Sequence, residues 1–518
     1  MYFLRILLLC TIAWSVAVPV PGAAEEKIGP AAYLASLPKP VFRADHTLPP
    51  LTRYGWTLPL EVNAEFARHW GYALEMGGYW TQAKAANLQK AGTKEAELIA
   101  LAKAEKLKVF AITNRETPAA VPPETWTRNR EGKLLLADAR SHDGTEWHTG
   151  IRSVISPEAP DAVWLEYGRL KAEPLAALRR EIPVAVVLNG GEYGIGVMGF
   201  AGKAWIQDPN ILAARGKQSW FAYISQRKGH AETLIADLVR RAVPDRELYV
   251  FYHTGNPHRK RYLWYWIWGY DDKYMLSVSD LASTPHYYTE FNSGFQGDED
   301  MLTMATNVKA YAVQHGQPLD YSWFWGKDTD LGRWMGFLKC LYVAGMVGGN
   351  AGWYKYLDFS ASFPKDTPPD WLKDMIALAR VHALFSHVEA YIREGEFVPG
   401  PYFHVWSREL PAYELLPEQT GAAGTGKSKA DAEFLKPGRR LRVLARKRKG
   451  KRQWLLTAWT AFGEAGPVTV DLPEYGQIKL TARPAGSVYL LDTARSDRPV
   501  LLDPDPLLPS RSAAALVQ

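Results

Sequence analysis

Between residues 72 and 356 the chain alternates short apolar runs with stretches of helical period, and few folds accept that order. The runs are 72–78 (YALEMGG), 107–114 (LKVFAITN), 183–188 (PVAVVL), 248–253 (LYVFYH), 274–279 (YMLSVS), 319–325 (LDYSWFW) and 352–356 (GWYKY), with a weaker one at about 150–156. Helical stretches fall between them, at about 83–106, 160–180, around Thr233–Val239, 299–315 and 333–347. In the 160–180 stretch, Val163, Leu165, Leu170, Leu175 and Leu178 keep approximate helical spacing. Strands that are apolar on both faces and separated by helices are parallel strands covered on both sides. Eight such units predict a (β/α)₈ TIM barrel. A doubly wound sheet is the alternative, but it calls for an early glycine-rich phosphate loop. Gly190, Gly191, Gly194 and Gly196 do not make one, and Glu192 would repel a phosphate there.

Beyond Pro401 the texture changes. Short alternating runs at 402–406, 441–446, 453–459, 467–472, 477–482 and 487–491 are separated by turn residues and show no helical period. This predicts a C-terminal antiparallel β-sandwich, with Trp406, Trp454 and Trp459 as half-buried strand positions. The expected division is 1–24 signal peptide, 25–398 barrel, 399–495 sandwich and 496–518 disordered tail. The export reading of the first segment rests on Arg5, the apolar run Ile6–Val20, and the small residues before Glu25-Glu26. That run is short for a membrane span, so the mature protein is expected to be soluble, secreted or periplasmic, and not inserted in a membrane.

Composition narrows the class of ligand. The chain of 518 residues carries 20 Trp and 26 Tyr, and a soluble protein so rich in flat amphipathic rings suits ligands with apolar faces and polar edges, such as sugars. Core filling accounts for many of these rings as well. Net charge is +6, yet ten basic residues lie between Lys436 and Arg452 with no acid among them, so the rest of the chain is net acidic. A chain-wide affinity for nucleic acid is therefore not expected. The cluster at Arg446–Arg452 reads as a hairpin tip, either a solvated turn that keeps sheet edges apart or a contact for an anionic polymer. Cys10 and Cys340 are the two cysteines, too few for a disulfide framework or a Cys-based zinc site. His253, His258 and His286 are dispersed, and neither H-E-x-x-H, G-x-S-x-G nor a P-loop occurs. No metal and no cofactor are expected.

In a barrel of this kind chemistry sits at the C-terminal ends of the strands. Glu192 follows the apolar run 183–188 through Asn189, Gly190 and Gly191, and a carboxyl against an apolar wall suits a general acid. A structural carboxylate capping a loop is the plainer reading of the same residue. Glu290, in YYTEFN, is flanked by Tyr287, Tyr288 and Phe291 and is the candidate second carboxylate, with Asp280 as its rival. Two such groups can flank a glycosidic bond, one protonating the leaving oxygen while the other attacks or activates water. Asp320 enters its strand and reads as structural. Glu75, Trp80, Arg115, Glu116, Asn189, Tyr193, His253, Asp280, Trp323, Trp325, Trp353 and Tyr354 fall at or just after expected strand ends, as candidate substrate-binding residues.

A barrel strand ending in NGGE, a second glutamate in YYTEFN and a following sandwich together resemble the retaining glycoside hydrolases of the clan A superfamily, in a β-galactosidase or β-agarase-like layout. In those enzymes the fourth strand ends in an Asn-Glu pair bearing the acid/base, whereas here two glycines separate Asn189 from Glu192. The stretch 382–400 is similar to their bridge from barrel to accessory domain. The resemblance implies hydrolysis of a polysaccharide or oligosaccharide, with Glu192 as acid/base and Glu290, about a hundred residues later, as nucleophile. One departure is that clan A carries its nucleophile after the seventh strand, while Glu290 follows the sixth expected run. A non-catalytic carbohydrate-binding protein on a degenerate barrel is the second reading, because a fold does not determine an activity.

Overall fold

The computed structural model describes residues 26–503 apart from 55–56, 114–121, 136–153, 191–201, 253–270, 284, 288–311, 314, 326–330, 353–357, 399–440, 461–464, 473–474 and 497. The expected signal segment, the 402–406 run and residues 504–518 lie outside the described residues. Among the described residues no helix is long and apolar enough to cross a membrane.

The chain is mixed α/β with a C-terminal antiparallel sheet. Its first part runs β1 (Thr52–Arg53), α1 (Leu60–His69), β2 (Leu74–Trp80), α2 (Gln82–Ala86), α3 (Lys94–Glu105), β3 (Val109–Thr113), α4 (Asp161–Glu181), β4 (Val184–Gly190), α5 (Trp220–Ala242), β5 (Leu248–Tyr252), β6 (Pro285–Tyr287), β7 (Asp320–Trp325), α6 (Leu331–Ala344), β8 (Met346–Ala351) and α7 (Asp370–Ser386). Two four-stranded parallel sheets form, in the orders β2-β3-β4-β5 and β1-β8-β7-β6.

Backbone contacts connect the two sheets at both margins. Leu51 makes a parallel bridge to Tyr72, where Leu51 N–H donates to Gly71 O and Ala73 N–H donates to Leu51 O, both at 2.9 Å. At the other margin Asp280 N–H donates to Tyr249 O at 2.9 Å, while Ala282 bridges Asp320 in parallel. All eight strands therefore point the same way.

Alternation along β3 and β5 divides the core, and β4 follows it after a register shift near its start. Val109, Ala111, Val184, Val187, Tyr249 and Phe251 pack with Leu98 and Ile99 of α3, Leu175 and Leu178 of α4, and Ala236 and Val239 of α5. The intervening Phe110, Ile112, Val186, Leu188, Leu248 and Val250 join Tyr321 and Trp323 from the other sheet. Apolar side chains on both faces are what parallel strands need. Helices α3 and α5 begin at side-chain caps: Thr93 Oγ1 accepts from Ala96 N–H and Ser219 Oγ from Ala222 N–H. On α4, Gly168 lets α5 approach, since a β-carbon there would stand 2.6 Å from Leu238 Cδ1.

Four strand positions differ from the expected ones. The weak run at 150–156 supplies no barrel strand: Ile155 makes one antiparallel bridge to Trp126, and residues 150–153 lie outside the described residues. The first strand is instead Thr52–Arg53, too short to show a period. The run 274–279 is not a strand but continues from a 3₁₀ turn at Asp272–Tyr274. Met275 and Val278, three apart, are buried while Leu276 is 53% exposed, which is helical spacing. The strand meant for it comes later, at Pro285–Tyr287. A strand not expected there is Met346–Ala351, within and just past the end of the expected 333–347 helix, and 353–356 of the expected last run lie outside the described residues. MVGGNA looks unlike a strand because its glycines make room for neighbours. A β-carbon on Gly348 would lie 2.8 Å from the Tyr321 ring, and one on Gly349 3.0 Å from that of Phe324.

The C-terminal module consists of β9 (Gly395–Val398), β10 (Leu441–Arg448), β11 (Gln453–Thr460), β12 (Gly466–Leu472), β13 (Gly476–Ala482), β14 (Ser487–Asp492) and β15 (Val500–Leu501). A five-stranded sheet, β9-β10-β11-β14-β15, faces the hairpin β12-β13 across Val443, Trp454, Leu456, Val470, Ile478 and Leu480. The sheet reaches past the expected 399–495 at both ends, and β15 uses residues expected to be a disordered tail. Trp454 and Trp459 are fully buried, not half-buried. The basic segment does turn at Lys449-Gly450, but Arg446 is no tip residue. It is buried, donates to Tyr391 O and Ile392 O, and burial pushes its guanidinium down to about 10.

Helix α6 carries the module. A β-carbon on Gly336 would overlap the Trp459 indole, whose Nε1 donates to Pro484 O at 2.8 Å. One turn on, the Lys339 ammonium is completely buried and donates to Ala485 O, Gly486 O and, at 2.5 Å, to the equally buried Asp503. Removing one member of such a pair leaves an uncompensated charge, which costs about 3–5 kcal/mol. Lys339→Ala should lose stability of that order in urea unfolding at pH 7. A loss below about 1 kcal/mol would show that the pair does not anchor the module.

Candidate functional site at the C-terminal strand ends

The best-defined polar cluster joins the end of β1 to the start of β2 and runs along β2 to its C-terminal end at Tyr79 and Trp80. Arg53 Nη2 meets Glu75 Oε2 at 2.5 Å with both side chains at most 5% exposed. Glu75 also accepts from Gly78 N–H at 3.0 Å through Oε1, and Asn63 of α1 clamps its backbone in both directions. Between Glu75 and Tyr79 the register of β2 against β3 shifts, because Gly77 and Gly78 both take positive φ (84° and 79°). Only glycine accepts two such residues in succession at little cost. This bulge re-aims the end of the strand. Tyr79 then reaches Tyr54, hydroxyl to hydroxyl, and Tyr54 sets its ring edge-on to Trp323 at 5.5 Å. Lys84 of α2 lies over the bulge and donates to Gly77 O.

A second network lies under the ends of β3, β4 and β5, on the helix side. Thr113 Oγ1 donates to Asn189 Oδ1 at 2.7 Å, Asn189 Nδ2 to Glu232 Oε2 at 3.2 Å, and Lys171 Nζ to Thr113 Oγ1 at 3.3 Å. Lys228 stands near Glu232 and over the Phe251 ring at 5.6 Å. All of these groups are buried. Desolvation pushes the Glu232 carboxyl up, and Lys171 and Lys228 oppose the shift.

The sequence candidates divide accordingly. Glu75 belongs to the first cluster. Trp323 is there too, but buried at the floor and not an open platform. Trp80 is no platform at all: it is wholly buried against α4, with Nε1 donating to Pro174 O at 2.8 Å. Asn189 faces the helices, because it shares parity with Val187, and so it anchors the strand end rather than lining an opening. Asp280 precedes β6 instead of ending a strand; it accepts from Tyr249 N–H at 2.7 Å and from Arg240 at 3.0 Å, near the beginning of β5. Trp325 ends β7. Asp320, buried at the start of β7 and bonded to Ser322, stands where a structural group would.

Arg115, Glu116, Glu192, Tyr193, His253, Glu290, Trp353 and Tyr354 lie outside the described residues. Their segments leave the ends of β3, β4, β5, β6 and β8 within a few residues. Among the described residues no group of three His, Cys, Asp or Glu is placed to hold a metal ion.

Several residues of these clusters escaped the sequence reading. Arg53 and Tyr54 sit on a strand too short to recognise. Lys228 and Glu232 had a usable signal: they fall four apart on the stripe of Ile224, Ile235 and Val239, where an amphipathic helix should be apolar.

No family model matches this chain, and no curated protein matches it. Among solved structures, an α-amylase from Geobacillus thermoleovorans in complex with acarbose is 11% identical, covering 77% of this chain and 80% of its own, with a TM-score of 0.38. An Anoxybacillus α-amylase is 13% identical over 76% and 78%, with a TM-score of 0.39. One from Malbranchea cinnamomea is 11% identical over 88% and 86%, with a TM-score of 0.38. These similar structures are all glycosidases, but TM-scores below 0.5 at such identity establish no shared activity.

The ion pair under the bulge gives a direct test. Arg53→Met should cost about 3–5 kcal/mol, because Glu75 keeps only the Gly78 amide in a buried place. The double variant Arg53→Met/Glu75→Leu should recover most of the loss. Additive losses in a urea-unfolding cycle would show the two side chains to be uncoupled.

Proposed function

We propose that the two parallel sheets form one closed (β/α)₈ barrel, and that the protein is a glycoside hydrolase whose site lies at the C-terminal end of that barrel. The supporting observation is the common direction of β1–β8. It makes the segments bearing Glu192 and Glu290 leave the strands at the same end as Tyr54 and Tyr79. The contacts Leu51–Tyr72 and Asp280–Tyr249, one at each margin, support closure. Glu192 comes two residues after the end of β4, and Glu290 three after the end of β6.

In this reading Glu192 protonates the glycosidic oxygen as the bond breaks. Glu290 attacks the anomeric carbon, forming a glycosyl ester, and Glu192, now a carboxylate, deprotonates the water that releases the sugar. Configuration is retained if the two carboxyl groups stand about 5–5.5 Å apart. Tyr79, half-buried at the rim, supplies an aromatic face and a hydroxyl for the substrate. The role of the C-terminal module is support: its described contacts with the barrel run through α6 and the 389–395 segment. Residues 1–24 export the chain.

A reducing-sugar assay of the purified protein on a panel of polysaccharides tests the activity. Glu192→Gln should lower turnover about 10²–10⁴-fold with binding kept, since an amide of equal size cannot give a proton. Wild-type turnover in that variant would remove Glu192 from the mechanism. Binding of glycans without any turnover by the wild type would favour the carbohydrate-binding alternative. For the second carboxylate, Glu290→Gly with azide and an activated glycoside should yield a glycosyl azide of inverted configuration. Full activity of Glu290→Gly without azide would exclude Glu290 as nucleophile.

A further inference from the structure

Lys84 is a cation with an unusual setting. It is half-buried on the short helix α2, and its side chain lies back across the double-glycine bulge of β2. A β-carbon built on either Gly77 or Gly78 would come 3.9 Å from the ammonium, and one on Gly78 would lie as close to Thr57 Oγ1. Its hydrogen-bond partner among the described residues is a neutral one, the Gly77 carbonyl, and none of the described carboxylates forms a salt bridge with it. Glu75, the nearest candidate, is already committed to Arg53 and to the Gly78 amide.

The immediate surroundings add hydrogen-bond donors. Arg53 Nε is buried and has no hydrogen-bond partner among the described residues, and the Tyr54 and Tyr79 hydroxyls lie at the same strand ends. Arg53 faces Glu75, so that carboxylate is already claimed. Burial pushes the Lys84 ammonium down, with Lys94 adding to the effect, while Glu95 and Glu75 act against it from a distance. A half-dehydrated ammonium gains more from an incoming anion than a fully hydrated one does.

Accordingly, we propose that Lys84, set on the Gly77-Gly78 bulge and backed by Arg53, is a subsite for the carboxylate of an acidic sugar, so that the substrate is a uronate-containing glycan. This rests on the glycoside hydrolase reading of the same strand ends and names its substrate class. Lys84 binds the sugar carboxylate and takes no part in bond breaking.

Binding and turnover separate the two readings. Tetrasaccharides containing glucuronate, galacturonate or mannuronate, and the same compounds after reduction of the carboxyl to a primary alcohol, are titrated calorimetrically into the wild type and the Glu192→Gln variant at 50 mM and 500 mM NaCl. At least one uronate should bind about tenfold more tightly than its reduced form at low salt, and the preference should shrink at high salt. Lys84→Met should abolish that preference while leaving affinity for the reduced form unchanged, and Lys84→Arg should keep part of it. Thermal melting of Lys84→Met within a few degrees of wild type checks that the fold is intact. Equal affinity for every acid and its reduced partner, or a preference that survives in Lys84→Met, overturns the subsite. Hydrolysis restricted to neutral glycans overturns it while leaving the hydrolase reading standing. A Lys84-dependent preference with no hydrolysis of any glycan supports the subsite and defeats the hydrolase reading.

Discussion

A strand of two residues holds the two parallel sheets to one another. Thr52 and Arg53 pair with Asn350 and Ala351 of β8 on one side, and the preceding Leu51 bridges to Tyr72 on the other. Side chains reinforce what so short a ladder cannot supply. Tyr321 reaches across Gly348 to donate to Pro50 O at 2.8 Å and Thr52 Oγ1 at 2.9 Å, and Thr52 in turn meets Asn350. Arg53 carries the link on to Glu75. Because buried backbone groups must find partners, a short strand at this position spares two longer ones from becoming open edges.

The same seam shapes the candidate site. Glu75 is held from below by Asn63 and from the side by Arg53, so the chain can afford two left-handed glycines directly after it. The shifted register turns Tyr79 toward Tyr54 and puts Lys84 above the bulge. At the ends of β3, β4 and β5, charge is buried instead behind the strands, where Asn189 connects Thr113 to Glu232. Buried polar groups are costly unless satisfied, so each of these networks sets its strand end in one arrangement. The Lys339–Asp503 pair does the same for the C-terminal module, supplying direction to an interface whose apolar part is the packing of Trp459 against Gly336.

Much of the architecture was legible. Strands such as 184–190 and 248–252 are long apolar runs, and burial on both faces leaves them no other reading. The hairpin strand 476–482 alternates because one face meets the sheet and the other is wet, while the sheet strand 453–460 is buried on both faces, between the hairpin and α6. What escaped notice was short or disguised: Thr52–Arg53 has no period to read, and MVGGNA gives up strand-like side chains to admit Tyr321 and Phe324. The run at 274–279 misled because Met275 and Val278 are apolar for helical packing. Of the candidate residues, Glu75 lies at the start of its strand rather than its end, and Trp80 and Asn189 face the helices, where parity across an irregular strand end decides orientation.

By itself the sequence determined the alternation of strands and helices, the change to antiparallel texture after residue 400, and which segments follow the strand ends. Those properties are local, written in apolar spacing and turn residues over ten or twenty positions. Tertiary structure alone decided which charges are buried and with whom: Arg53 with Glu75, Lys339 with Asp503, Lys171 near Glu232. Partners 22 to 164 residues apart leave no mark on local pattern, and a lysine on a helix looks the same whether water or a carboxylate awaits it.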